Sequence, residues 1–195
     1  MNERDARTVH RPPLTTQRIR MKSRLLLALT FAALSVLTSA AFAEELTPPA
    51  DRPPAAAFRL DNLVGESVSL QDFAGQVVVI SFWATWCGPC LQEIPFMNGF
   101  FEQYGDQGLT VLAVTTDGPE TLSEVRNVAR RGHWTLPVLL DLDGAVAAQL
   151  NPRGTQPFTM FIDRAGRVAA THEGFSSGDE VEHEATIQAL LAESP

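Results

Sequence analysis

The segment WATWCGPC, residues 83–90, holds the only two cysteines of the chain, Cys87 and Cys90, with Gly88 and Pro89 between them. Thiols at this spacing can serve as a redox couple, as half of a metal site or as a short structural bridge. A redox couple needs one thiol acidic enough to attack and a second close enough to resolve the mixed disulfide. Cys87 follows a polar turn and opens a helical pattern, where unpaired backbone N–H groups and the helix dipole favour a thiolate. Cys90 falls one turn later on the same face, so its sulfur can reach that of Cys87. A structural zinc site would need two further ligands. The histidines beyond residue 43 are His133, His172 and His183, and none is paired at ligand spacing. An inert bridge over so short a loop would add little stability, because the loop-closure contribution grows with loop length.

Such a pair needs a strand to deliver the chain and a helix to receive it. Residues 76–82, QVVVISF, form a continuous β-branched run that predicts a buried central strand. Residues 87–104 place Leu91, Ile94, Met97 and Phe101 at helical spacing, with a stop near Gly105. Upstream, 58–60 and 68–70 read as short alternating strands around Gly65. Downstream, 109–116 is a second buried strand and 119–131 a helix, with Pro119 in its first turn and Gly132 at its end. Residues 136–140 are strand-like and 144–150 form a short helix. The runs 158–163 and 167–171 pair as a hairpin through Arg164-Ala165-Gly166. Residues 179–193 close the chain as an amphipathic helix, with Val181, Ile187, Leu190 and Leu191 on its apolar face. This alternation predicts an α/β layer fold around a central mixed sheet.

The charge is unevenly distributed. Residues 1–43 carry seven Lys/Arg and two acids, whereas residues 44–195 carry eight Arg against twenty-one acids. The acidic body repels phosphate backbones and anionic headgroups, which argues against a nucleic-acid partner and favours a basic client. Arg18, Arg20, Lys22 and Arg24 precede an apolar run from Leu25 to Leu37, followed by Ala41-Phe42-Ala43. This is the form of a signal peptide over 1–43, cleaved after Ala43, with Met21 a second candidate start. The apolar run is short for a membrane span, so the expectation is a cleaved leader with no membrane insertion afterwards. Residues 44–57, EELTPPADRPPAAA, read as a Pro/Ala-rich tether, and 58–195 as the folded domain. The mature protein would then be periplasmic or secreted, where disulfides form freely and reduced thiols need a supply of electrons.

SFWATWCGPCLQEIPFM, residues 81–97, resembles the active-site segment of the thioredoxin superfamily, and most closely its secreted TlpA/ResA branch. The lead-in FRLDNLVGESVSLQDFAGQVVVISFWA and the later GTQPFTMFIDRAGRV extend the resemblance to the C-terminus. It implies a thioredoxin-like fold with an extra strand–helix insertion, which here would include residues 136–150. It implies a redox-active disulfide between Cys87 and Cys90, with no cofactor. It makes Pro157 a cis-proline facing the cysteines, holding Gln156 extended so that its backbone can pair with a client strand. Gln156 is polar where the superfamily often carries Thr, Val or Ile. Glu93, one turn after Cys90, would accept the Cys90 proton, because the buried Asp of thioredoxins proper is replaced by Ser81. Trp86, beside Cys87, would belong to the client-binding surface.

The activity implied is thiol–disulfide oxidoreduction, with the Gly-Pro dipeptide pointing to the reducing direction. The implied partners are client proteins with disulfides, apocytochrome c among them as part of cytochrome c maturation, and a membrane thiol-reductant conduit as electron donor. Two other activities deserve comparison. A peroxiredoxin-like peroxide reductase needs Thr or Ser three residues before its cysteine, where this chain has Ala84. A copper carrier of this fold spaces its cysteines one residue wider and would need His133 or His172 at the site.

Overall fold

The β-branched runs become seven strands: β1 (Arg59–Asn62), β2 (Ser67–Ser69), β3 (Val77–Trp83), β4 (Leu109–Thr115), β5 (Val138–Leu140), β6 (Phe158–Ile162) and β7 (Val168–Glu173). They form one mixed sheet in the order β2-β1-β5-β4-β3-β6-β7 in the computed structural model, which describes residues 46–194. The leader expected at 1–43 lies outside the described residues. Among the described residues, four α-helices accompany the sheet: α1 (Gly88–Tyr104), α2 (Leu122–Arg131), α3 (Ala145–Leu150) and α4 (Asp179–Ala192).

The central strands β3 and β4 run parallel and are buried along their whole length, which is why neither sequence alternates. Alternate residues nevertheless serve two cores. Val77, Val79 and Trp83 pack with Ile94 and Met97 of α1 and Ile187 and Leu190 of α4. Val78, Ile80 and Phe82 face the other way, towards Val146 and Leu150 of α3. Burying the sheet on both faces removes several large apolar side chains from water at about 25 cal/mol per Å2. Truncating one of them, such as Ile94, costs about 2–5 kcal/mol. The strand–helix insertion expected at 136–150 is present as β5 and α3, with β5 parallel to β4 and antiparallel to β1. Among the described residues, no helix is long and apolar enough to cross a membrane.

Three expectations change. The helix expected at 119–131 begins as a 3-10 turn, Pro119–Thr121, before α2. There the Thr121 hydroxyl turns back to the Gly118 carbonyl at 3.0 Å. On α4, Val181 is 59% exposed, while His183 takes a place in the buried stripe with Ile187 and Leu190. The third change is larger. From residue 46 onward, the expected tether lies on the domain. Thr47 N–H donates to Ala169 O at 2.9 Å, Val168 N–H to Pro53 O at 2.8 Å and Ala55 N–H to Gly166 O at 2.9 Å. The segment thus pairs with the first residues of β7 on its outer edge, where backbone groups would otherwise lack partners. Arg52 anchors it from within the core, bonded to Asp163 at 3.1 Å and to Glu193 at 2.7 Å. Composition alone hid this, because one buried guanidinium outweighs a run of Pro and Ala.

Candidate active site

Strand β3 delivers the chain to the site and α1 receives it. Between them, the turn 84–86 is fastened by a single buried carboxylate, Asp117. It accepts hydrogen bonds from Thr85 N–H at 2.8 Å, Thr85 Oγ1 at 2.6 Å, Thr115 Oγ1 at 2.7 Å and Thr121 Oγ1 at 3.2 Å. Trp86 projects from this turn and is 74% exposed, whereas Trp83 is buried and packs edge-on against Trp134 at 5.0 Å.

Cys87 is the N-cap residue of α1, and the Cys90 N–H donates to its sulfur at 3.3 Å. Pro89 sits in the first turn, where a missing N–H leaves no helical bond unmade. The two cysteines are joined as a disulfide. Cys87 is 5% exposed and Cys90 is fully buried. On reduction, the sulfur at the helix N-terminus would carry the negative charge, with an N–H already directed at it. Cys90 is thus the more shielded of the two sulfurs.

Glu93 lies one turn deeper on α1 and is completely buried. The antiparallel register places Ser81 of β3 directly opposite Thr159 of β6. Both hydroxyls donate to the Glu93 carboxyl, Ser81 to Oε2 and Thr159 to Oε1, each at 2.7 Å. Burial pushes the Glu93 carboxyl above its ordinary range, and these two hydrogen bonds only partly offset it. The nearest basic group, Nδ1 of His183, stands 3.9 Å from Oε1. Burial, with His172 nearby, lowers the His183 pKa to about 4, so that contact is not an ion pair at neutral pH.

The Gln156–Pro157 peptide bond is cis. Because Phe82 pairs with Phe158, this bond lies at the same end of the sheet as the chain leaving β3 for the cysteines. The Pro157 carbonyl accepts from Gly174 N–H at 2.8 Å. The Gln156 side-chain amide donates to Thr116 Oγ1, while its own oxygen is buried without a partner. Phe175, next to Gly174, packs against Phe96 of α1 at 5.9 Å. Trp86 and Phe96 are both exposed large apolar residues, one on the turn before Cys87 and the other on α1 beyond it.

The residues expected at the site therefore sit on the elements expected to carry them. Several others were not anticipated. Thr159 and Asp117 were missed, and Ser81 was noted only as a replacement for an acid. The signal for Ser81 and Thr159 was a lone hydroxyl residue inside each fully buried strand, VVVISFW and FTMFI. His183 could have been found as the polar residue four positions before Ile187 on a buried helical stripe. Among the described residues, no group of three or more His, Cys, Asp or Glu is arranged to hold a metal ion.

The AhpC/TSA family model matches residues 52–171. The chain is 34% identical over 166 residues to the thiol-disulfide oxidoreductase ResA of Geobacillus kaustophilus, covering 85% of this chain and 93% of that protein. It is 38% identical over 126 residues to the thioredoxin-like protein YneN of Bacillus subtilis, covering 64% of this chain and 72% of that one. Among solved structures, a candidate thiol:disulfide interchange protein DsbE from Chlorobium tepidum superposes with a TM-score of 0.67 at 33% identity, over 72% of this chain and 97% of that chain. Disulfide-linked cysteines at the head of a helix, a cis-proline at the same end of the sheet and these likenesses converge: the chain belongs to the AhpC/TSA family, and within it to the ResA-like thiol–disulfide oxidoreductases of thioredoxin fold.

Proposed function

We propose that this oxidoreductase is an exported reductase of protein disulfides, with Cys87 attacking and Cys90 resolving. The observation that carries the reading is the placement of a buried, cation-free carboxyl one helical turn below the buried sulfur of the pair. In the reduced protein the Cys87 thiolate attacks one sulfur of a client disulfide, which forms a mixed disulfide and releases one client thiolate. Cys90 gives its proton to Glu93, and its thiolate then attacks the Cys87 sulfur. The second client thiolate leaves, two electrons have passed to the client, and the Cys87–Cys90 disulfide is restored. Glu93 suits proton acceptance because its raised pKa brings it towards the acidity of a thiol.

Trp86, Gln156 and Pro157 supply the client surface in this reading, with an extended client segment pairing against the backbone before the cis-proline. The basic stretch and apolar run at 18–37 support export by a cleaved leader, and export places the reaction where disulfides accumulate. Regeneration then draws electrons from a membrane thiol conduit. Apocytochrome c, with paired attachment cysteines, is the client class that fits a dedicated reductase of this branch. Peroxide reduction is set aside, because Ala84 leaves no hydroxyl three residues before Cys87.

The test is mixed-disulfide trapping. Cys90→Ser should accumulate client adducts through Cys87, and Cys87→Ser should accumulate none. Adducts formed only through Cys90 would reverse the assignment. A reduction potential nearer to about −120 mV than to about −270 mV would overturn the reducing direction.

A further inference from the structure

Glu93 has no direct path to solvent, so a proton taken from Cys90 needs a way out before the next cycle. The sheet register provides a line of polar groups. Ser81 of β3 pairs with Thr159 of β6, and Thr159 pairs with His172 of β7, which gives one polar rung across three strands. Glu93 is bonded to the first two members. Helix α4 lays His183 over the third, its ring meeting His172 edge to face at 4.8 Å. Nδ1 of the same ring is 3.9 Å from Glu93 Oε1. His172 in turn approaches Asp179 Oδ2 at 3.3 Å, and both of those side chains are partly exposed.

The surroundings of His183 make its identity chemically informative. Its other ring neighbours are Phe161 at 5.5 Å and Phe175 at 6.0 Å. Neither ring nitrogen has a hydrogen-bond partner, although the side chain is fully buried. A neutral imidazole always keeps one N–H, and burying it unpaired forfeits a hydrogen bond that a phenylalanine in the same stack would never need.

We propose that His183 is a positioning residue for the exchange reaction, relaying the proton between the Glu93 carboxyl and the His172–Asp179 pair at the surface. The inference rests on Glu93 acting as acceptor for Cys90. In the relay the Glu93 O–H bond breaks as a bond to His183 Nδ1 forms, and the imidazole passes a proton on to His172, Asp179 and bulk water. No electrons move in this step. The gap from Glu93 to His183 must close by about 1 Å to reach hydrogen-bond distance, and such contacts commonly tighten only in the reacting complex. The charged or titratable groups facing His183 are Glu93 from α1, His172 from β7, and Asp179 and Glu180 from its own helix. Burial and His172 keep the imidazole neutral, with Asp179 and Glu180 opposing, so it is free to accept.

The experiment follows resolution of a mixed disulfide between Cys87 and a model peptide thiol, across pH, in rapid-quench single turnovers. Glu93→Gln should slow resolution about 10²-fold. His183→Phe, which keeps the aromatic stack, should slow it about tenfold and flatten its pH profile. Glu93→Gln combined with His183→Phe should be no slower than Glu93→Gln alone, because both act on one path. A His183→Phe protein with the parental rate and pH profile, or losses that multiply in the double variant, would overturn the relay while leaving Glu93 in its role. A parental rate in Glu93→Gln would overturn the role of Glu93 and the relay with it. Should His183→Phe fail to fold, His172→Phe interrupts the same path at its partly exposed end, with the same expected slowing, and a parental rate there counts against the relay.

Discussion

Two buried carboxyls flank strand β6, and they are treated in opposite ways. At one end Asp163 meets two guanidiniums, Arg52 at 3.1 Å and Arg167 at 2.9 Å. Burial would raise its pKa, but the Arg167 backbone bond and the two arginine side chains overcome that, so Asp163 lies below the ordinary carboxylate range. At the other end Glu93 receives two hydroxyls and no cation, and burial lifts it. The difference is one of purpose. A carboxylate given counter-charges stays ionised and holds the N-terminal segment in place. A carboxyl denied them is held above the ordinary carboxylate range, where keeping its proton is easier.

The largest expected effect separates the two ends by stability. Arg52→Ala strips Asp163 and Glu193 of a buried partner and should destabilise the fold by about 3–5 kcal/mol in urea unfolding. Exchange activity per folded molecule should stay unchanged, since the cysteines lie at the opposite end of the sheet. Loss of activity with stability intact would erase the distinction.

The pH dependence of stability sharpens it. Asp163, depressed in the fold, contributes stability that is complete above the unfolded carboxylate pKa and disappears as pH falls through the folded value. Glu93, raised in the fold, acts the other way: the unfolded chain releases its proton first, so stability declines as pH rises from the unfolded value towards the folded one. His183 titrates near 4 in the fold against 6.5 when free. As pH falls between those values, the unfolded chain protonates first and the fold loses stability. That loss amounts to about 3 kcal/mol. Unfolding free energies measured from pH 4 to pH 8 should show this slope, and His183→Phe should remove it.

Glu93→Gln comes next. Resolution should slow about 10²-fold, equivalent to about 2.7 kcal/mol in the barrier. Stability at neutral pH should hold or rise, because a neutral amide no longer has to be buried as an acid. A marked fall in stability would mean that Glu93 acts chiefly as structure. The smallest effect is at the surface. Trp86→Ala should leave stability within about 0.5 kcal/mol while weakening client adduct formation in the trapping assay.

What the sequence displayed follows the same division. The strand–turn–helix carrying Cys87 and Cys90 was readable because QVVVISF and the spacing of Leu91, Ile94 and Met97 are local patterns. Glu93 was readable from its offset to Cys90. Its hydroxyl partners were not, because Ser81 and Thr159 meet only through strand register, 78 positions apart. Arg52 was hidden for the same reason: its partners, Asp163 and Glu193, lie more than a hundred residues away. His183 was concealed by polarity, since a stripe sought among apolar residues chose Val181 instead. Interactions that cross the sheet, more than those along a helix, decide how each carboxyl behaves.

The most direct test is a carbon-13 NMR titration of the Glu93 and Asp163 side-chain carboxyls, in the disulfide form and after reduction. The account predicts Glu93 titrating well above the ordinary carboxylate range and shifting when Cys87–Cys90 is reduced, while Asp163 titrates below that range and does not respond. A Glu93 that titrates like a free glutamate and ignores the redox state of the cysteines would contradict it.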